Sequence, residues 1–140
     1  MRKYFFVFLF LVACAAPGSD DAFIDGAAMC QPFLKNWSAV AMNLQRQPVT
    51  VCSTWMPQAR VALENFVTCW DTVPQASDRN LRLSHEAILR ASKFSEASVE
   101  YTESFCSGGG ANNLELASDY ARMATDAFAE ATAYLKAYLD

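Results

Sequence analysis

From residue 114 onward, apolar side chains return at alternating steps of three and four: Leu114, Ala117, Ala121, Ala124, Phe128, Ala131, Leu135 and Tyr138. An α-helix turns every 3.6 residues, so all of these lie on one side of a single helix. The stripe holds for about three and a half heptads. A helix of that length in water needs its apolar face covered. The economical cover is a bundle of further helices. Asn112, with Glu115 three residues on, offers a variant of the capping box at the start.

The rest of the chain supplies the other helices. Alanine and serine are abundant while valine and isoleucine are sparse, which favours helix over sheet. A first helix carries Phe33, Leu34, Trp37, Val40, Ala41 and Leu44 to about Gln47, and Phe23, Ala27 and Cys30 extend the spacing backwards. Pro32 interrupts it, because an internal proline removes one hydrogen bond and clashes a turn back. Either the helix starts near Met29 or it starts near Asp21 and kinks; the longer version is adopted here. After the connector Gln47–Val51, a second helix runs from a Ser53 or Thr54 cap to Trp70, with Pro57 tolerated in its first turn. A third runs from a Ser77 or Asp78 cap to about Cys106 and turns Leu81, Ile88, Ala91, Ser95, Val99, Thr102 and Phe105 inward. Ser107-Gly108-Gly109-Gly110 ends that helix and reads as a flexible loop. The expected fold is all-α, an up-down-up-down four-helix bundle. The runner-up is three helices with an irregular N-terminal segment.

The N-terminus has a different character. Arg2 and Lys3 precede an apolar run from Tyr4 to Val12, followed by small residues around Cys14. Charge, a short apolar core and small residues make a secretory signal. The run is shorter than the roughly 17–25 residues that a membrane-spanning helix needs. Leu11-Val12-Ala13-Cys14 resembles the lipobox of bacterial lipoproteins. The resemblance covers only the first 14 or so residues. It implies that residues 1–13 are a cleaved signal peptide and that Cys14 carries a diacylglyceryl group and an acylated amine. Residues 14–21 then form a lipidated tether, and residues 22–140 form a single helical domain. The membrane is thus a partner through the lipid on Cys14. Ala15, where an aspartate would favour retention at the inner membrane, points to the outer membrane facing the periplasm in a host with two membranes.

Cleavage leaves 127 residues, ordinary for one domain, with 9 basic against 15 acidic side chains, a balance of −6. That charge argues against nucleic acid as a partner. It also leaves Cys30, Cys52, Cys69 and Cys106, an even set expected to form two disulfides in an exported domain. The first hairpin turns near positions 49–50, and Cys30 and Cys69 are equidistant from that turn. They should face each other. Cys52 begins the second helix and Cys106 ends the third, so both lie at the opposite end. Pairing Cys30 with Cys52 would miss the hairpin register by about 17 residues, roughly 25 Å. A disulfide needs α-carbons within about 7 Å. Cys30–Cys69 and Cys52–Cys106 follow.

Chemistry-bearing motifs are few. His85, the one histidine, has Leu81, Arg82, Ile88 and Leu89 as helical neighbours and no local acid to orient it, so it reads as a surface or boundary residue. Arg82 stands where a Glu-x-x-His metal motif would need glutamate. No Cys-x-x-Cys-His haem signature occurs, and the triple glycine is not followed by the lysine of a phosphate loop. Glu96, Glu100 and Glu103, and likewise Glu115, Asp119, Asp126 and Glu130, read as solvated faces. Neither a cofactor nor a metal is expected. Leu116, Tyr120, Met123, Ala127 and Tyr134 form a second stripe on the last helix. It either widens the core or leaves Leu116, Tyr120, Met123 and Tyr134 as a face for a partner. The expected function is that of a lipid-anchored, non-enzymatic envelope module binding another envelope protein, as accessory subunit, inhibitor or exclusion factor. The alternative is a carrier or sensor of an apolar small molecule held between the third and fourth helices.

Overall fold

The computed structural model describes residues 20–46 and 51–140. The lipobox, Cys14 and most of the tether lie outside the described residues, as does most of the 47–51 connector. Four α-helices follow in order: α1 (Asp21–Arg46), α2 (Met56–Trp70), α3 (Arg79–Cys106) and α4 (Asn112–Leu139). No strand occurs among the described residues, and no helix there is long and apolar enough to cross a membrane.

α1 takes the longer form and passes through Pro32. Phe23, Ile24, Ala27, Cys30, Leu34, Trp37 and Val40 are buried at helical spacing. Pro32 sits on the exposed face, where a carbonyl deprived of its N–H can turn to water. Gly26 lies where α1 passes close to the loop after α2. A Cβ there would lie 3.2 Å from the Cδ of Pro74.

α2 begins differently from the expectation. Val51–Trp55 is a π-helical turn that runs directly into α2, and no side chain caps the junction. Ser53 and Thr54 are therefore within that turn rather than cap residues. The covalent tie from Cys52 to Cys106 fixes the backbone here in place of a cap. Pro57 does sit in the first turn of α2.

α3 is capped as expected. The Asp78 carboxylate accepts from the backbone N–H of Asn80 at 2.7 Å and of Leu81 at 3.1 Å. Asp20 adds a second carboxylate, accepting from the N–H of Ser77 at 2.5 Å and of Asp78 at 3.2 Å. Two negative charges thus sit at the positive end of the helix dipole, and the start of α1 is pinned to the start of α3. At the other end, Gly108 adopts φ +95°, open to glycine and strained for other residues. The N–H of Gly109 bonds to the carbonyl of Ser104 and that of Gly108 to Phe105, which makes a Schellman motif. The glycine run ends the helix, as expected, and does so through a formed stop. Asn112 is the first residue of α4 and gives no cap. Backbone bonds from Asn113 to Gly110 and from Leu114 to Ala111 close the first turn instead.

Chain direction alternates through the bundle. Cys30–Cys69 joins α1 to α2 with α-carbons 5.6 Å apart, and Cys52–Cys106 joins the π-helical turn to the end of α3 at 5.3 Å. These are the pairings predicted from the hairpin register. Phe23, Leu34, Leu63, Phe66, Trp70, Leu81, Ile88 and Val99 are the large side chains almost wholly withdrawn from water. Each such burial is worth about 1.5–3 kcal/mol before entropy is counted.

Candidate functional face on α3 and α4

The surface in question is built on the seam between α3 and α4. Ser84 donates its hydroxyl to the carbonyl of Ala131 at 3.1 Å, and Ser98 donates to the carbonyl of Ala117 at 2.7 Å. A side-chain bond to the backbone of an opposing helix requires the two helices to lie very close. The antiparallel register repeats every seven residues, so Ala91 falls opposite Ala124 midway between the two bonds. Small residues at all three layers permit the approach. The layers at Ser84/Ala131, Ala91/Ala124 and Ser98/Ala117 are alanine or serine on both helices.

Above this seam stand aromatic side chains. Tyr120 of α4 stacks on Tyr101 of α3 with ring centres 5.6 Å apart and planes 13° from parallel. Phe94 lies against its other side at 6.3 Å. Tyr120 is thereby half-buried and fixed, with offset ring contacts worth about 0.5–1.5 kcal/mol beyond burial. Leu116 and Met123, one turn to either side of it on α4, remain 36% and 39% exposed. Ala127 of the same stripe is buried. The second stripe therefore divides: Ala127 joins the core, and Leu116, Tyr120 and Met123 form a patch with an exposed rim.

Tyr134 is not part of that patch. It lies about 21 Å along α4 from Tyr120. Its hydroxyl donates to Oε1 of Glu130 at 3.2 Å, while Arg90 of α3 pairs with Oε2 of the same carboxylate at 2.6 Å. Phe94 and Tyr101, which brace Tyr120, were missed in the sequence. Phe94, Ala97 and Tyr101 recur at helical spacing on the flank of the α3 stripe, and that was the available signal.

The acidic strips are partly paired. Glu103 receives two hydrogen bonds from the guanidinium of Arg60 on α2, one from Nε at 3.0 Å and one from Nη2. Those bonds and the negative charge raise the Arg60 pKa. Asp119 pairs loosely with Arg122 at 3.4 Å. Among the described residues no group of three or more histidine, cysteine or acidic side chains is placed to hold a metal ion.

His85 is deeper than a surface or boundary position. It is 9% exposed and lies between the rings of Phe23, at 5.7 Å, and Trp70, at 5.6 Å. Burial lowers its pKa, and the carboxylates of Glu86 and Asp71 offset part of that. An apolar clamp of this kind holds a neutral imidazole as a packing group.

Two depressions lie elsewhere on the bundle. One runs between α1 and α2 past Asn36, Val40, Pro57 and Val61, and the other between α2 and α3 past Arg60, Glu103 and the Cys52–Cys106 disulfide. Both are grooves open to solvent. Compared with protein-family models, with curated proteins and with solved structures, the chain matches none.

Proposed function

We propose that this chain is a lipid-anchored protein of the bacterial envelope that works by docking a partner protein, without chemistry of its own. The docking face is Leu116, Tyr120 and Met123 on α4, backed by Phe94 and Tyr101 on α3. The observation that carries the reading is the combination on that face. Two apolar side chains stay exposed beside a tyrosine that is already held in place. Rigid aromatic anchors with apolar neighbours are what interface hot spots use, since little side-chain entropy remains to be lost on binding. Exposed carboxylates at Glu100, Glu115 and Asp126 neighbour it along α3 and α4, with Asp119 paired loosely to Arg122. They favour a partner segment with an apolar stripe and a basic rim.

The anchor gives the face a direction. α1 begins at Asp21, about seven residues after Cys14, which reach at most roughly 25 Å. The start of α1 therefore lies next to the membrane, in the outer-membrane leaflet facing the periplasm where the host has two membranes. Tyr120 stands about 28 Å up α4 from Leu139, near the end turned away from the lipid. A partner reaching in from the periplasm would meet this face first.

The test places a photoreactive residue at Leu116 in the lipidated protein in intact cells, and another at Gln58, exposed on α2, as control. One product formed from position 116, absent from position 58 and abolished by Met123→Asp, is the expected result. Equal products from both positions, or none from 116 across growth conditions, would refute the docking face. Fractionation of a Cys14→Ser variant tests the anchor separately; the reading requires the variant to leave the membrane fraction.

A further inference from the structure

The two disulfides differ sharply in access. Cys30 is 1% exposed, and Cys69 packs half-buried against the core. Cys52 is exposed, Cys106 is half-buried, and both line the open groove between α2 and α3. Exchange with an external thiol requires that a thiolate reach one sulfur of the bond. The groove gives that approach at Cys52–Cys106, and the core denies it at Cys30. Arg60 and Glu103, paired with each other, line the same groove.

Apart from its disulfide, the backbone around Cys52 has no cap to hold it. Its π-helical turn contributes a single buried residue, Val51. No side chain caps the junction with α2, and the buried indole Nε1 of Trp55 has no hydrogen-bond partner. Short π-helical segments are uncommon and concentrate at functional positions. The core residues of α2 itself, from Met56 to Trp70, all follow this turn.

We propose that Cys52–Cys106 is a thiol-exchange site, opened by a dithiol reductant while Cys30–Cys69 stays closed. A thiolate of the reductant attacks Sγ of Cys52, the bond to Cys106 breaks, and Cys106 leaves as a thiolate. The second thiolate of the reductant attacks the mixed disulfide and releases Cys52. The reductant ends as a disulfide, and the protein ends with two thiols. The two protons that the reductant gave up to water are the two that the cysteine thiolates regain. The π-helical turn is then untied from the end of α3, and the bundle opens locally at its membrane-distal end.

The experiment titrates the oxidised, lipidated protein in detergent with dithiothreitol, without denaturant. Aliquots are trapped with iodoacetamide, and each cysteine is followed by peptide mass spectrometry beside circular dichroism. Cys52 and Cys106 should label about tenfold faster than Cys30 and Cys69 or more, with helicity kept while only the first pair has reacted. Equal labelling rates, earlier labelling of Cys30 and Cys69, or loss of helicity with the first pair would overturn the proposal. A Cys52→Ser, Cys106→Ser double variant gives a second arm. It should fold and form Cys30–Cys69, and failure to fold would show the distal bond to be a staple and not an exchange site.

Discussion

Replacing Ala124 by leucine tests whether the seam between α3 and α4 is closed. Ala124 is buried, and Ala91, opposite it, is wholly buried. Hydrogen bonds from Ser84 and Ser98 pin the helices together on either side of this layer. Leucine brings three more carbons into a layer with no room for them. If the helices hold, overpacking costs about 1–3 kcal/mol. If they part, two hydrogen bonds worth about 1 kcal/mol each are lost, along with the contacts between the small residues. The loss across the two routes is about 1–3 kcal/mol. Unfolding entropy for a domain of about 120 residues is roughly 0.25 kcal/mol/K, so Tm should fall by about 4–12 °C. Ala129→Leu, on the exposed side of the same helix, is the matched control and should stay within about 0.5 kcal/mol of the parent. Thermal and urea unfolding followed by circular dichroism measure both. A leucine at 124 tolerated as well as one at 129 would refute the close seam. It would also mean that space exists between α3 and α4, as a carrier of apolar molecules needs.

Other positions give sharp expectations. His85 has a folded-state pKa below its ordinary value of 6.5, so the unfolded chain binds more protons in the window below 6.5. Stability should be full above that pH and fall as pH drops through the window, and His85→Phe should flatten this in urea midpoints measured between about pH 5 and 8. Asp78→Ala removes the α3 cap and should cost about 1 kcal/mol in the same assay; no change would mean that Asp20 alone satisfies the helix start. Gly108→Ala forces a side chain into positive φ and should cost about 1 kcal/mol. The same substitution at Gly26 meets Pro74 and tests whether the loop after α2 can yield.

Much of the fold was legible because it depends on period and register. The Phe23, Ala27, Cys30 spacing outweighed Pro32, since a proline on the outer face costs one hydrogen bond while the stripe buries several large side chains. Cys30 and Cys69 could be paired because an antiparallel hairpin turns sequence distance from its loop into height along the axis. What escaped depends on contacts from other segments. Ser53 and Thr54 have cap chemistry, but a disulfide at Cys52 dictates the backbone before them. Asn112 has it too, yet the glycine stop of α3 already sets the entry to α4. The neighbours of His85 on its own helix were read correctly. Phe23 and Trp70, which enclose it, come from two other helices. Tyr120 sits on the edge of its helix stripe, so only the α3 register reveals that Phe94 and Tyr101 brace it.

The two hairpins hold themselves together by opposite means, and this bears on where a partner can bind. α1 and α2 bury Trp37, Phe66 and Trp70, large side chains that keep helix axes apart, and they carry Cys30–Cys69 between them. α3 and α4 share no disulfide. Their alanine and serine layers bring the backbones near enough for direct side-chain to carbonyl bonds. A small-residue seam buries little apolar area in each layer, so its stability comes from close contact along nearly 28 residues of each helix. That geometry also pushes larger side chains off the seam to its flank, which is where Phe94, Tyr101, Leu116, Tyr120 and Met123 are found. An apolar flank is therefore a consequence of the small seam. Its exposure remains a liability unless something covers it. In the proposed function a partner covers it, on a surface braced by the packing of α3 on α4, and the proposed lipid tether would direct that end of the bundle away from the membrane.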